Sequence, residues 1–430
     1  MPILFSDVTV VPMDGAPQVL EHAYVAVEGT KIASVGTEPP EGTFDRVVDG
    51  AGKVLLPGFV NAHTHLPMTL MRGYGGGCDL HTWLNQYIFP AEARLDSRAV
   101  AAGAGLGLAE MIASGVTCVA DMYMHTGTIA EQILEAGISA NLSCGGVYFG
   151  APEDFSPETC GDCRNQAALT EEWHGAGAGQ ILVDASVHGE YTSNPPLWRW
   201  MAEYAAEHRL GMHVHVSETQ SEHQASLERW GKTPIQALDG CGVWDCGRSL
   251  AAHCVYTTEE DWALMVSCVH NPWSNLKLGS GVAPIPAMMR AGVNVALGTD
   301  GMSSHNSADL FSDIKLAAVL HNGVERDPMA VSAWAALEIA TVNGARALGR
   351  DTGVIAPGKT ADLILVDLSA PNLIPCHDPV EDLVFSAHGS NVEMNMARGQ
   401  VIYEKGSFLT LDLERVRWEV EHYALPLIFG

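Results

Sequence analysis

The sequence predicts an α/β protein: a (β/α)8 TIM-type barrel over residues 58–352, joined to a small β-sandwich domain built from both chain ends. That composite domain takes residues 1–57 and 353–430, the second piece finishing in a C-terminal helix. Three observations predict this. Eight apolar, strand-like runs alternate with helical stretches through the middle of the chain. The two ends share one texture, short strands broken by Gly and Asp, and neither is large enough to make a β core alone. Histidines or an aspartate end several of the middle runs, the place where barrels of this kind build their sites.

The N-terminal strands are carried by "VTVVPM", "AYVAVEGTKIASVG" and "RVVDGAGKVLLPG". Their counterparts near the other end are "GVIAPGKTADLILVDL" and "MARGQVIYEKGSFL". Between them, the eight runs are "GFVNA" (58–62), "VTCVADM" (116–122), "SANLSCGGVY" (139–148), "ILVDASVH" (181–188), "GMHVHV" (211–216), "SLAAH" (249–253), "SCVHN" (267–271) and "NVALGTD" (294–300). Stretches such as "SRAVAAGAGLGLAEMIAS", "PLWRWMAEYAAEHR" and "SADLFSDIKLAAVLHN" read as the intervening helices. A doubly wound open sheet is the competing architecture, but no GxGxxG follows an early strand.

Composition narrows the function. Apolar residues make up 47% of the 430 and charged residues 17%, which suits a large core and argues against disorder. The formal charge is −28, from 23 basic and 51 acidic residues, and such a field repels nucleic-acid backbones. No apolar run approaches the ~18 residues of a membrane span. The start, "MPILFSDVTVVPMDG", lacks the basic region of a signal peptide, so a cytoplasmic protein is expected. The ten scattered cysteines then read as reduced thiols. Cys160 and Cys163 form a single CxxC, "TCGDC", expected on a surface loop.

The chemistry lies at the strand ends. Strand residues two apart share a face, so His63 and His65 point together from the tip of the first middle strand. Two imidazoles suit zinc or iron but do not close a site. In "HVHVSE", His215 is the ligand candidate and His213 packs below it as a core histidine. Glu218 follows three residues later, placed to move protons. The sixth strand ends at His253, the seventh at His270 and the eighth at Asp300. Each has a plain structural reading alone; together at one barrel end they point to a metal site. His63, His65, His215 and Asp300 would hold one divalent ion and leave a water position open. Zinc comes first, with iron(II) or manganese(II) as other occupants. The fourth strand, "QILVDASVHGEY", has no lysine to bridge a second metal, so the site is expected to be mononuclear.

Such an ion brings water's pKa towards neutrality, and the resulting hydroxide attacks an electrophilic sp² carbon. Asp300 can take a proton from the water, Glu218 can shuttle it, and His253 can orient the nucleophile. The carbon could belong to a ring amidine, an amide or a centre bearing halide.

Six segments carry a resemblance: "PGFVNAHTH", "HVSE", "AAHC", "HNPWSNLKLGSGVAPIPAM", "VALGTDG" and "TGVIAPGKTADLILVD". On them the chain resembles the amidohydrolase superfamily, and is most similar to its methylthioadenosine/S-adenosylhomocysteine deaminase group. The resemblance implies a homo-oligomeric, metal-dependent hydrolase that releases ammonia from an adenine nucleoside such as methylthioadenosine, adenosine or S-adenosylhomocysteine. It implies the ligands and the roles of Glu218 and His253 given above. It adds Glu92, in "IFPAE", as the group that binds ribose hydroxyls, and His188, Trp83 and Ser304 as substrate contacts. Wider members of the superfamily suggest an alternative: another amino-heterocycle of guanine, pterin or pyrimidine type, or a triazine that loses chloride or an alkylamine. A non-catalytic scaffold is a third reading, against which the full ligand set argues. The chain also departs from the group. "NLSCGGVYFG" puts Cys144 or a neighbour where relatives acting on S-adenosylhomocysteine carry an arginine. No arginine lies between Arg98 and Arg164, so a carboxylate-bearing substrate loses its obvious partner. "SVHGEY" and the His305 of "GMSSHNS" are further departures, both expected to line the pocket.

Overall fold

A computed structural model describes residues 2–15 and 17–430. Its strands are β1 (Ile3–Val10), β2 (Leu20–Glu28), β3 (Lys31–Gly36), β4 (Arg46–Asp49), β5 (Lys53–Pro57), β6 (Phe59–His65), β7 (Val116–Met122), β8 (Ser139–Ser143), β9 (Ile181–Val183) and β10 (Ala185–Gly189). They continue as β11 (Met212–Val216), β12 (Ser249–His253), β13 (Ser267–His270), β14 (Asn294–Leu297), β15 (Asp300–Gly301), β16 (Leu363–Asp367), β17 (Val392–Ala397), β18 (Gln400–Glu404) and β19 (Ser407–Phe408).

The chain ends meet in one mixed, nine-stranded sheet ordered β19-β18-β17-β16-β5-β1-β2-β3, with β4 on β1. The junction is the antiparallel β5–β16 pair, Leu55 opposite Leu365. Phe5, Val8, Val25 and Leu55 from one end share an apolar cluster with Leu363 and Met396 from the other. Neither end could bury that surface alone. The sheet runs directly into the middle of the chain: β5 ends at Pro57 and β6 begins at Phe59.

Two parallel five-stranded sheets make up the middle, β10-β11-β12-β13-β14 and β15-β6-β7-β8-β9. All eight runs identified in the sequence are strands, with two refinements. "ILVDASVH" is broken at Asp184, and "NVALGTD" at Gly298 and Thr299, so each contributes one piece to each sheet. Asp184 explains its own break. Its carboxylate turns inward to accept from Asn141 Nδ2 (2.8 Å) and the Gly211 amide (3.0 Å), and it pairs with Arg248. The third run also stops early, at Ser143, and the chain then leaves as a loop.

Helices pack between strands. The helix Ser97–Ala113 starts on Asp96, which accepts from the Ala99 amide at 2.9 Å, an N-cap. Its glycines are steric requirements. A Cβ on Gly103 would lie 2.7 Å from the Pro67 carbonyl oxygen, so only glycine lets this helix touch the turn that follows His65. Among the described residues no helix is long and apolar enough to cross a membrane.

The CxxC reading is corrected here. Cys160 and Cys163 are buried, 7% and 1% exposed, at the cap and first turn of the helix Gly161–Trp173. They are core thiols rather than a surface loop.

Candidate metal centre and active site

Parallel register brings the strand ends into one layer. Gly189 lies opposite His215, Val216 opposite His253, and Asp300 opposite Thr64. His65 Nε2 is 3.1 Å from Asp300 Oδ1 and 3.2 Å from His215 Nε2, and His63 Nε2 is 3.4 Å from Asp300 Oδ1. Ligand atoms of His63, His215, His253 and Asp300 all lie within 4.8 Å of one another. His65 lies outside that foursome but adjoins it through Asp300 and His215, so five ligand-type side chains gather here.

Each imidazole is fixed from behind. His65 Nδ1 donates to the Met122 carbonyl (2.5 Å) and His215 Nδ1 to the His188 carbonyl (2.7 Å). A carbonyl only accepts, so both rings carry a proton on Nδ1 and in their neutral forms turn an Nε2 lone pair inward. Two such lone pairs 3.2 Å apart repel unless a cation lies beside them. His63 Nδ1 meets His213 Nε2 at 2.7 Å, and His63 Nε2 is a buried atom with no hydrogen-bond partner among the described residues. Asp300 Oδ2 accepts from Ser274 (2.6 Å) and Ser304 (2.8 Å), leaving Oδ1 for the cluster. Inward nitrogens, a braced carboxylate and second-layer donors are the arrangement a divalent ion needs.

Electrostatics agree. Burial holds His63 well below the ordinary imidazole value. Burial would lower His65 too, but the Asp300 carboxylate outweighs it and pushes His65 up to about 9. The carboxylate thus draws one positive charge to the Nε2 side of His65, either a proton or a metal cation that displaces it. Burial pushes Glu218 up, and its Oε2 lies 3.9 Å from His253 Nε2. Burial takes His188 down to about 4, so this ring is neutral near pH 7.

Backbone strain gathers at the same place. His253 (φ 74°) and Asp300 (φ 62°) adopt left-handed conformations at their strand ends. Non-glycine residues there cost about 1–3 kcal/mol each and persist where packing over-determines them. Both side chains lie beside His63 of β6 and His215 of β11.

The cluster forms the floor of a cavity of about 410 Å³. Trp83, Glu92, His188, Tyr123 and Tyr191 are on its walls. Glu92 accepts from the Tyr123 hydroxyl at 2.7 Å; burial pushes its carboxyl up and this bond pulls it back. Two expectations are corrected. Ser304 is not on the cavity wall, because its hydroxyl is spent on Asp300 Oδ2 and the Gly301 carbonyl. His305 is not there either; it is buried, with Nε2 2.8 Å from Asp313 Oδ2. His270 closes its strand but pairs with His321, Nε2 to Nε2 at 3.0 Å, away from the floor.

Several working groups escape sequence reasoning. Asn275 Oδ1 accepts from His253 Nδ1 at 2.8 Å, and Asp121 Oδ1 accepts from the Leu66 amide at 2.6 Å, fixing the turn after His65. Asn275 stands inside the quoted "HNPWSN", yet nothing in that string says which ring it meets. Asn275→Ala is expected to lower kcat/KM by about 10–100-fold with metal content retained, because it frees the His253 ring without touching Asp300. Steady-state kinetics alongside elemental analysis checks this.

Comparison with known proteins gives the same frame. Residues 54–402 match the model of the amidohydrolase family. The chain is 41% identical, over all of its own length and 99% of the relative's, to a protein of Caldanaerobacter subterraneus subsp. tengcongensis named 5-methylthioadenosine/S-adenosylhomocysteine deaminase. It is 40% identical, over 95% of both chains, to a 5'-deoxyadenosine deaminase of Methanothermobacter thermautotrophicus. Its structure resembles that of a zinc-bound adenosine deaminase from Xanthomonas campestris, with a TM-score of 0.92 and 32% identity over 99% of this chain and 98% of that one. The chain belongs to the amidohydrolase family.

Proposed function

We propose that the protein is a metal-dependent hydrolytic deaminase of adenine nucleosides, and that His63, His65, His215 and Asp300 hold one zinc ion. The observation that carries this is the joining, at one cavity floor, of inward-facing imidazole nitrogens and a braced carboxylate with Glu218 and His253. The relatives' names supply the substrate class: each is named as a deaminase of adenosine or of an adenosine derivative. A divalent ion in this set supplies Lewis acidity that makes a neighbouring water acidic near neutral pH.

The chain's own residues do the rest. Asp300 accepts the first proton from water. Protonated Glu218 gives its proton to the purine ring nitrogen beside the aminated carbon. It takes up the proton left on the attacking oxygen and passes it to the departing amine as the C–N bond breaks. Asp300 then returns the first water proton to Glu218. Water's oxygen stays on the carbon as the new carbonyl and ammonia leaves. Burial favours Glu218 in its protonated form, which suits a donor. His253, held by Asn275, orients the water and stabilises the tetrahedral centre. Glu92, oriented by Tyr123, accepts from the sugar hydroxyls, while neutral His188 and the Trp83 ring shape the wall.

The architecture belongs to the same proposal. The two parallel sheets are halves of one (β/α)8 barrel over residues 58–352, closed through the broken fourth and eighth strands. Residues 1–57 and 353–430 form the small composite β domain, a sandwich, beside it.

The test is ammonia release by zinc-loaded protein from adenosine, 5'-deoxyadenosine and methylthioadenosine, beside guanine, a pterin and a chlorotriazine. The nucleosides are expected to give the highest kcat/KM. Silence on all three, or chloride release without ammonia, overturns the reading.

A further inference from the structure

The cavity is acidic beyond what its metal centre uses. Four carboxylates line it: Glu92, Asp162, Glu218 and Asp300. Among the described residues neither lysine nor arginine does. Asp300 and Glu218 face the imidazole cluster, and Glu92 is engaged by the Tyr123 hydroxyl. Asp162 has no such compensation. Its Oδ2 accepts from the Val147 amide at 2.8 Å, and Oδ1 meets only Asn165 Nδ2 at 3.5 Å.

Its position is the outer wall. The loop after β8 carries Val147 and Phe149, both lining the cavity, and Phe149 is 79% exposed, which marks the mouth. The Asp162 bond to Val147 ties this carboxylate to that rim. A nucleoside whose base meets the metal floor and whose sugar hydroxyls meet Glu92 has one part left for the mouth, its 5' substituent.

We infer that Asp162 selects the charge of that substituent: the cavity takes nucleosides whose 5' group is neutral or cationic and disfavours those carrying a carboxylate or phosphate there. The inference rests on the proposed function and narrows its substrate class. Across ~8 Å of partly hydrated cavity, two unit charges interact strongly enough to move a rate ratio by about tenfold.

The test uses zinc-loaded protein and three nucleosides that differ only at the 5' end: adenosine, 5'-amino-5'-deoxyadenosine and adenosine-5'-carboxylate. The readout is the ratio of kcat/KM for the amine to that for the carboxylate, which does not depend on the fraction of enzyme folded. The wild-type ratio is expected to exceed ten. Asp162→Asn keeps an oxygen for the Val147 amide while removing the charge, and is expected to lower the ratio at least tenfold. A wild-type preference for the carboxylate, or the same ratio in both enzymes, overturns the inference and leaves the proposed function standing. Failure to deaminate adenosine and both analogues overturns the inference, and joined by silence on 5'-deoxyadenosine and methylthioadenosine it overturns the proposed function as well.

Discussion

Glu218→Gln is expected to lower kcat by about 10²–10⁴-fold, the range for a positioned acid–base group, with KM and metal content little changed. The carboxylate lies 3.9 Å from His253 Nε2 and is buried at the cavity floor, so water cannot take over its task. Glutamine keeps the volume and one acceptor oxygen but cannot carry the proton. The backbone here is held independently: Glu222 accepts from the Ser217 (2.8 Å) and Glu218 (2.7 Å) amides, so the variant keeps its loop. Kinetics, elemental analysis and a thermal unfolding curve on one preparation separate lost proton transfer from lost fold or lost metal. A fall in kcat of less than about tenfold would move the proton shuttle to another residue.

His63→Ala is expected to abolish metal retention and turnover together. His63 is fully buried, its Nε2 aims at Asp300, and its other nitrogen is held by His213. Removing it takes away one inward lone pair and leaves His213 facing an empty volume, a loss of about 1–3 kcal/mol for the unpaired polar group alone. The metal adds a separate stability term, because an ion that binds only the folded chain stabilises it by mass action. The Tm of wild-type protein should therefore fall on chelation, whereas that of the variant should be the same with and without chelator. A variant that retains stoichiometric metal and responds to the chelator would remove His63 from the ligand set.

Much of this site is legible in the sequence because strands impose a period of two. "HTH" and "HVH" put paired histidines on one face, and parallel pairing then places every strand tip in one layer. His213 is legible as a core residue for the same reason, though its role as the brace of His63 is not. Asn275, Tyr123 and Asp121 are invisible because each acts on a residue from another element: Asn275 on His253, Tyr123 on Glu92, Asp121 on Leu66. Contacts of that kind depend on how helices and loops cover the strand ends, which local pattern does not encode. Ser304 and His305 fail in the opposite sense. They follow Asp300 closely, but the short helix Met302–His305 turns one hydroxyl back onto Asp300 and buries the other ring against Asp313. The breaks at Asp184 and Gly298–Thr299 are equally silent, since one or two small or polar residues inside a run do not by themselves separate one strand from two.

The apolar middle and the two β ends separate more readily. Alternation over eight runs is a long-range signal that single errors do not erase, and the antiparallel β5–β16 pair explains why both ends carry strand texture. The helix glycines at 103 and 107 read from sequence as weak helix formers. Their cause is the approach of the helix to the turn after His65: the nearest atoms to an added Cβ would be the carbonyl oxygens of Pro67 and Leu66. A feature that looks like poor helix propensity is thus part of what holds the strand end carrying His63 and His65 in place.

The central claim is that one metal ion, held by these strand ends, makes the chain a nucleoside deaminase. The most direct measurement is ammonia released from adenosine, or from its 5'-deoxy or 5'-methylthio derivatives, by protein of known metal content before chelation, after it and on readdition of zinc. The account predicts one ammonia per nucleoside consumed, a rate proportional to bound metal up to one equivalent, loss on chelation and recovery with zinc. Turnover that persists in protein stripped of metal, or metal-replete protein that releases no ammonia from these nucleosides, would contradict it.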